Sequence, residues 1–169
     1  TVAEISLLLI ANAAINVVFA PKIGRLIQRF GERKSLIFEY VGLSLIFSGY
    51  AFVESSTFAV FLYIADHLLF SIAIALKTYF QKIADPADIA SSAGVSFTIN
   101  HIAAVFIPVL FGLVWLYSPS LVFLAGSGMA IISLLLAFNM PAKPASGNEV
   151  LISLSLLSNI FVLKIKSDC

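Results

Sequence analysis

Charged residues are scarce in this chain of 169 residues. Asp, Glu, Lys and Arg make up 11% of it, against about 25% in soluble domains, which is too little to cover the surface of a soluble protein of this size. The hydrophobic share is 60%, so the low hydrophobicity and high charge of a disordered chain are excluded as well. This composition predicts an integral membrane protein.

Cysteine is nearly absent, and common motifs for metal binding and for nucleotide binding are missing. The single cysteine, Cys169, permits neither an internal disulfide nor a cysteine metal cluster. The sequence has no His-Glu-x-x-His motif for zinc and no Walker loop for direct use of ATP. A net charge of +1 offers no basic field for nucleic acid. We therefore expect no enzyme activity, no metal, no cofactor and no nucleic-acid partner.

Long apolar stretches alternate with short charged segments. The longest charge-free stretch, 89–142, exceeds one membrane span of about 20 residues and fits two, with a break at Ser118-Pro119-Ser120. Backbone groups in lipid must be hydrogen-bonded within their own segment, so the spans are expected to be helices. The sequence predicts an all-α, polytopic transmembrane helix bundle over residues 1–144. Its five spans lie at about 2–20, 35–54, 57–81, 91–117 and 120–140.

The basic residues fall in alternate connections between these spans. The connection 21–34 is rich in Lys and Arg, Lys82 follows the third span, and Lys143 follows the fifth. The connections at Glu54 and Ser118 contain no Lys or Arg. The positive-inside rule places the basic connections in the cytoplasm, with the N-terminus outside and the C-terminus inside.

Three boundaries carry further expectations. Asp85 is expected to cap the helix of the fourth span, with Pro86 in its first turn. The segment 145–169 is interpreted as a cytoplasmic tail, with an interfacial segment and a reading-frame artefact as the alternatives. The chain begins with Thr1 and no basic stretch precedes its first span, so we expect a fragment of a longer protein.

The strongest motif joins the first two spans and runs from Gly24 to Leu36, with the sequence GRLIQRFGERKSL. Its glycines, Gly24 and Gly31, are expected to let the chain turn tightly at both ends of a loop. Its basic side chains can meet helix C-terminal carbonyls, acidic partners and lipid headgroups. An ordinary positive-inside loop explains these residues equally well.

This segment resembles the signature loop of the major facilitator superfamily of transporters. Five residues match the family pattern in register: Gly24, Leu26, Arg29, Gly31 and Arg33. Gln28 and Lys34 are the other residues assigned to the signature loop. Two positions depart from the family pattern, because Gln28 stands where an acid is usual and Glu32 where a base is usual. In the family that acid helps to lock the two halves of the transporter together, whereas Gln28 carries no charge.

The resemblance implies that the five spans are helices eight to twelve, in the C-terminal half of a bacterial permease. The stretch 78–101 also resembles such a permease. The family then implies a secondary transporter that works by alternating access and is coupled to protons or to another ion. Its partners are the lipid bilayer, a small-molecule solute and an N-terminal half of the same transporter. It also implies the bacterial inner membrane as the location.

Polar side chains inside the predicted spans are the candidates for a solute or coupling site. These are Asn12, Asp66, His67, Asn100 and His101, with Asn16 one turn after the first of them. A charged residue near the middle of a span costs about 2.5–3.5 kcal/mol and usually faces protein or water. The resemblance implies that these residues converge near mid-membrane and that Asp66 or His101 takes part in proton coupling.

Two simpler interpretations remain open. The polar residues can be interhelical hydrogen-bonding groups and nothing more. The whole protein can be a non-transporting five-span scaffold or assembly subunit.

Adjacent residues on a helix point about 100° apart, so Asp66 and His67 are not expected to pair with each other.

Overall fold

The computed structural model describes residues 2–152, and that part of the chain is helical with no strand. Its helices are α1 (Val2–Phe30), α2 (Glu32–Phe52), α3 (Ser56–Phe70), α4 (Ile74–Ile83), α5 (Ile89–Tyr117) and α6 (Pro119–Phe138). A 3₁₀ turn, Ser71–Ala73, joins α3 directly to α4. The predicted all-α fold class is confirmed for these residues, and most of the predicted tail lies outside them.

Within residues 2–152, five helical segments are long and apolar enough to cross a membrane. They are α1, α2, the continuous rod of α3 and α4, α5, and α6, and each overlaps one predicted span. Large apolar side chains dominate the exposed surface, whereas the buried set includes Asn12, Glu32, Ser35, Glu39 and Ser127. Soluble monomers rarely expose so much contiguous apolar surface. The arrangement is that of a polytopic membrane protein.

Helix α2 is the centre of the bundle. It packs along α6 on one side and against α3, the 3₁₀ turn and α4 on another, while α1 contacts α2 and α3. Hydroxyl groups hold α2 to α6, because Ser127 Oγ lies 3.0 Å from Ser48 Oγ and donates to the Ser44 carbonyl. Helix α5 packs against α6 and has no buried residue of its own.

Two glycines of α2 allow α3 to approach it closely. A Cβ atom added at Gly42 would collide with the side chain of Leu69, and one added at Gly49 would meet Leu62 Cδ1 at 3.3 Å. The same number of residues separates Gly42 from Gly49 as Leu62 from Leu69. These pairs therefore define an antiparallel register between α2 and α3.

Gly42→Ala is expected to lower the free energy of unfolding by about 1 kcal/mol, because the added methyl group forces Leu69 to move. The measurement is unfolding in mixed micelles, followed by circular dichroism as SDS is added. Leu69→Ala in the Gly42→Ala background should recover part of the loss. Gly112→Ala is the control, since an added Cβ there meets nothing within 4 Å. Equal stabilities of the Gly42 and Gly112 variants would contradict close packing at Gly42.

The connection 21–34 is not the loop that the sequence predicts. Helix α1 continues through Pro21 to Phe30, and α2 begins at Glu32. Ile23 and Ile27 of this segment are buried in a cluster with Leu36, and burying one face of a helix favours its extension. Gly24 therefore lies inside α1, and Gly31 alone makes the turn, with a φ of +84°.

Asp85 does not cap α5, contrary to the prediction. Its Oδ1 accepts a hydrogen bond of 2.9 Å from the Ala87 N–H, so its side chain is satisfied within a local turn. Helix α5 begins at Ile89, after Asp88. Helix α6 ends at Phe138, and Asn139 occupies its C-cap.

Candidate functional site

A hydrogen-bonded group of Asn12, Asn16 and Ser71, here called the Asn–Ser cluster, connects α1 to the third span. Asn12 is buried, with 8% of its surface exposed. Asn16 Nδ2 donates to Oδ1 and to the backbone carbonyl of Asn12, each at 3.0 Å. The Ser71 hydroxyl lies within hydrogen-bond distance of Asn16 Oδ1. The cluster therefore joins the two helices through polar groups near the middle of α1.

The Asn–Ser cluster meets the third span where that span departs from α-helical geometry. The 3₁₀ turn at Ser71–Ala73 contains neither proline nor glycine, so its residue types do not require the departure. The Ser71 hydroxyl also lies 3.0 Å from the His67 carbonyl of the preceding helical turn. A 3₁₀ stretch inside a helix often marks a hinge or local strain, and here it is bonded to α1.

Asp66 and His67 lie on α3, about one turn before Ser71, and both are half-buried. His67 Nδ1 lies 3.4 Å from Asp66 Oδ2 and 2.9 Å from the Tyr63 carbonyl. The prediction that these neighbours do not pair is wrong. The imidazole folds back toward the preceding turn, where its ring packs on Tyr63 with centroids 4.2 Å apart, and there the Asp66 carboxylate reaches it.

Asn100 and His101 lie apart from this group. Both are exposed on α5, and His101 Nδ1 lies 2.9 Å from the Phe97 carbonyl of its own helix. The His101 ring also packs on Phe97, with centroids 3.8 Å apart. In the part of the chain that the structure describes, no hydrogen bond or ion pair joins either residue to α1 or α3. The structure thus unites Asn12 with the third span but not with α5.

One end of the bundle, here called the basic end, gathers the charged segments. Arg33 Nη2 donates a hydrogen bond of 3.0 Å to the Phe138 carbonyl at the end of α6. Lys82, at the end of α4, forms an ion pair with the buried Glu32 at the start of α2. The Lys and Arg residues among 2–152 all lie toward this end: Lys22, Arg25, Arg29, Arg33, Lys34, Lys77, Lys82 and Lys143.

The residues of the Gly24–Leu36 motif have separate surroundings at the basic end. Leu26 and Gln28 are exposed on the last turns of α1, and the Arg29 guanidinium lies over the Phe30 ring at 5.6 Å. Lys34 is exposed on the first turn of α2. The expectation that basic side chains of this motif meet a helix C-terminus is confirmed for Arg33.

The Glu32–Lys82 ion pair is expected to couple α2 to α4 by about 0.5–1 kcal/mol, since Lys82 is half-exposed and partly solvated. The measurement is a double-mutant cycle of unfolding free energies with Glu32→Gln, Lys82→Met and the double variant. Each single variant should lose stability, and the double variant should lose less than the sum of the two. If the losses of unfolding free energy were strictly additive, the two side chains would not interact.

Glu39 is a buried acidic side chain that is not among the candidate residues predicted from the sequence. It is 2% exposed on α2, and its Oε2 has no hydrogen-bond partner. Its position was a usable signal, because it is the single ionisable Asp, Glu, Lys or Arg between Ser35 and Val53. Most buried polar groups in proteins have a hydrogen-bond partner, so a buried carboxyl oxygen without one is unusual.

Metal binding has no support in the described residues, because 2–152 contain no group of three or more His, Cys, Asp or Glu that could hold an ion. Comparisons with protein-family models, with curated proteins and with solved structures found no match for this chain. The polar groups within the spans are therefore the basis for a functional proposal.

Proposed function

We propose that this chain is the C-terminal half of a secondary active transporter of the major facilitator type. It moves a small solute by alternating access and couples that movement to protons. The observation that carries the proposal is the Asn–Ser cluster beside Asp66 and His67, at a 3₁₀ interruption of a membrane span. Ionisable groups within a span commonly mark solute and proton paths, and interrupted helices are common at transporter sites.

The proposal assigns a role to each side chain of the site. The amides of Asn12 and Asn16 and the Ser71 hydroxyl offer hydrogen bonds to the polar groups of a solute. Asp66 exchanges a proton, and His67 holds its carboxylate at a distance of 3.4 Å. Asn100 and His101 belong to the exposed face of α5, which the N-terminal half covers in this proposal.

The distribution of charge supports an orientation in the membrane. The Lys and Arg residues of 2–152 lie toward the basic end, and Glu54 occupies the connection at the opposite end. The positive-inside rule places the basic end in the cytoplasm, in agreement with a bacterial inner-membrane protein whose C-terminus is cytoplasmic.

The test begins with the reading frame that contains the codon for Thr1. We expect about seven further apolar spans upstream, with a second glycine–arginine loop, as in transporters built from repeated halves. The complete protein is then reconstituted into vesicles that contain a pH-sensitive dye, and solutes of different classes are added. Solute-dependent proton movement would support the proposal. A frame that starts just before Thr1, with no proton movement for any solute class, would overturn it.

A non-transporting scaffold is the second candidate. Asn12, Asn16 and Ser71 are hydrogen-bonded to one another, which is also how polar groups stabilise helix packing in membranes. Under this alternative Asn16→Ala lowers stability, and the complete protein shows no solute-dependent flux. The reconstitution experiment therefore separates the two functions.

A further inference from the structure

The buried Glu39 lies opposite the 3₁₀ turn. The pairs Gly42–Leu69 and Gly49–Leu62 define the antiparallel register of α2 and α3. Three residues before Gly42 on α2 correspond to three residues after Leu69, so this register places Glu39 level with Ile72. Helix α2 packs on the Ser71–Ala73 turn, and Ile72 is buried at 3% exposure. Glu39 and the Asn–Ser cluster thus lie at the same interruption of the third span.

The ionisable groups of the neighbouring elements leave Glu39 without a countercharge. On α4, Lys77 and Lys82 are exposed, and the Tyr79 hydroxyl donates to the Glu149 carbonyl. On α3, Asp66 and His67 contact each other. Helix α6 has no ionisable side chain. The remaining ionisable groups on α1, α2 and α3 form no ion pair or hydrogen bond with Glu39 within residues 2–152: Glu4, Lys22, Arg25, Arg29, Glu32, Arg33, Lys34, Tyr40, Tyr50 and Tyr63.

A carboxyl group in these surroundings is stable in its neutral form. An ionised carboxylate removed from water and without a partner has a large solvation penalty, which a bound proton removes. A divalent cation would need at least about six oxygen ligands, and residues 2–152 contain no cluster of acidic or histidine side chains around Glu39. The proton is therefore the ligand that fits this position.

We propose that Glu39 is a proton-binding site that is coupled to the 3₁₀ turn. The carboxyl group holds a proton while the turn packs against α2, and it releases the proton when movement of the turn admits water. Binding and release at Glu39 are independent of any solute. The use of that proton to drive solute movement rests on the proposed transporter function.

The test is pH-dependent labelling of the complete, reconstituted protein with dicyclohexylcarbodiimide, an apolar reagent that adds to protonated carboxyl groups. The carboxyl O–H adds across one C=N bond, and the O-acylisourea rearranges to a stable N-acylurea without a leaving group. At about pH 6.5 we expect at least about tenfold more adduct at the buried Glu39 than at Glu54, whose carboxylate is exposed to water. The adduct at Glu39 should decrease as the pH is raised, because only the protonated carboxyl group reacts.

Several outcomes would overturn the proton site. These are no adduct at Glu39, an adduct that is constant with pH, or loss of the adduct when sodium replaces choline at constant ionic strength, which would indicate a cation instead. Glu39→Gln must remove the adduct from its peptide, and Glu54→Gln is the matched control. The labelling of the unmodified protein decides the question even if Glu39→Gln does not fold.

The same labelling separates this inference from the transporter proposal. An adduct at Asp66 and none at Glu39, in a protein that shows solute-dependent flux, would overturn the Glu39 site and leave the transporter function standing. An adduct at Glu39 in a protein without such flux would support the proton site and contradict transport.

Coupling to the turn has its own readout. Ala73→Cys, in a Cys169→Ser background, places a thiol in the 3₁₀ turn. We expect its reaction rate with an uncharged maleimide, after correction for thiol ionisation with a free-thiol standard, to increase with pH. The increase should vanish when Glu39→Gln is added. Equal pH profiles with Glu39 and with Gln at that position would overturn the coupling.

Discussion

Replacing Gly31 with alanine is expected to lower the free energy of unfolding by about 2 kcal/mol, because the backbone there adopts a conformation that is nearly exclusive to glycine. Gly31 has φ of +84° and ψ of 158°, and it is the residue between the end of α1 and the start of α2. An added Cβ meets no neighbouring atom within 4 Å. The cost therefore comes from the backbone and not from crowding, and it should appear as a lower SDS midpoint in mixed micelles.

Gly24→Ala is the matched control, with an expected effect of the opposite sign. Gly24 lies inside α1, and an added Cβ there also meets nothing within 4 Å. Alanine favours a helix over glycine by about 0.5–1 kcal/mol, so this variant should gain stability. If each glycine instead turned the chain in a loop, alanine would lower the free energy of unfolding at both positions. Equal losses at the two positions would contradict the helical assignment of 21–30.

Asp66→Asn is expected to reduce solute-driven proton flux in vesicles at least about tenfold, because asparagine keeps the size of the side chain but cannot exchange a proton. The His67 imidazole next to it would lose the carboxylate that lies 3.4 Å away. Unfolding in mixed micelles should change much less than flux, since an uncharged amide is easier to hold within a span. The flux is measured with the complete protein, a responsive solute and an internal pH dye.

His101→Gln is the comparison on α5. Flux that depends on His101 and not on Asp66 would move the coupling site from α3 to the exposed face of α5. If both variants kept the flux of the unmodified protein, the coupling hypothesis for these two residues would be wrong. Ser127→Ala serves as a control for a polar residue of the α2–α6 interface, outside the proposed site, and its flux should be nearly unchanged.

Some features of the site could be derived from residue types alone, and others could not. Asn12, Asp66 and His67 can be identified from the sequence because polar groups within apolar segments are conspicuous there. Ser71 has no such signal, since serine is common in membrane helices. Its relation to Asn16 depends on how α1 lies against the third span. Glu39 was visible as an isolated charge, but its burial depends on which face of α2 packs against the 3₁₀ turn.

The sequence by itself determined the number and approximate bounds of the apolar spans, because hydropathy is a local property that each segment carries alone. It also determined that the basic residues occupy alternate connections. Tertiary structure alone decided that 21–30 is helical, because burial of Ile23 and Ile27 against α2 extends α1. It also decided the partner of Glu32 and the separation of α5 from the Asn–Ser cluster. Those outcomes depend on which helix faces meet, and packing between distant segments selects the faces.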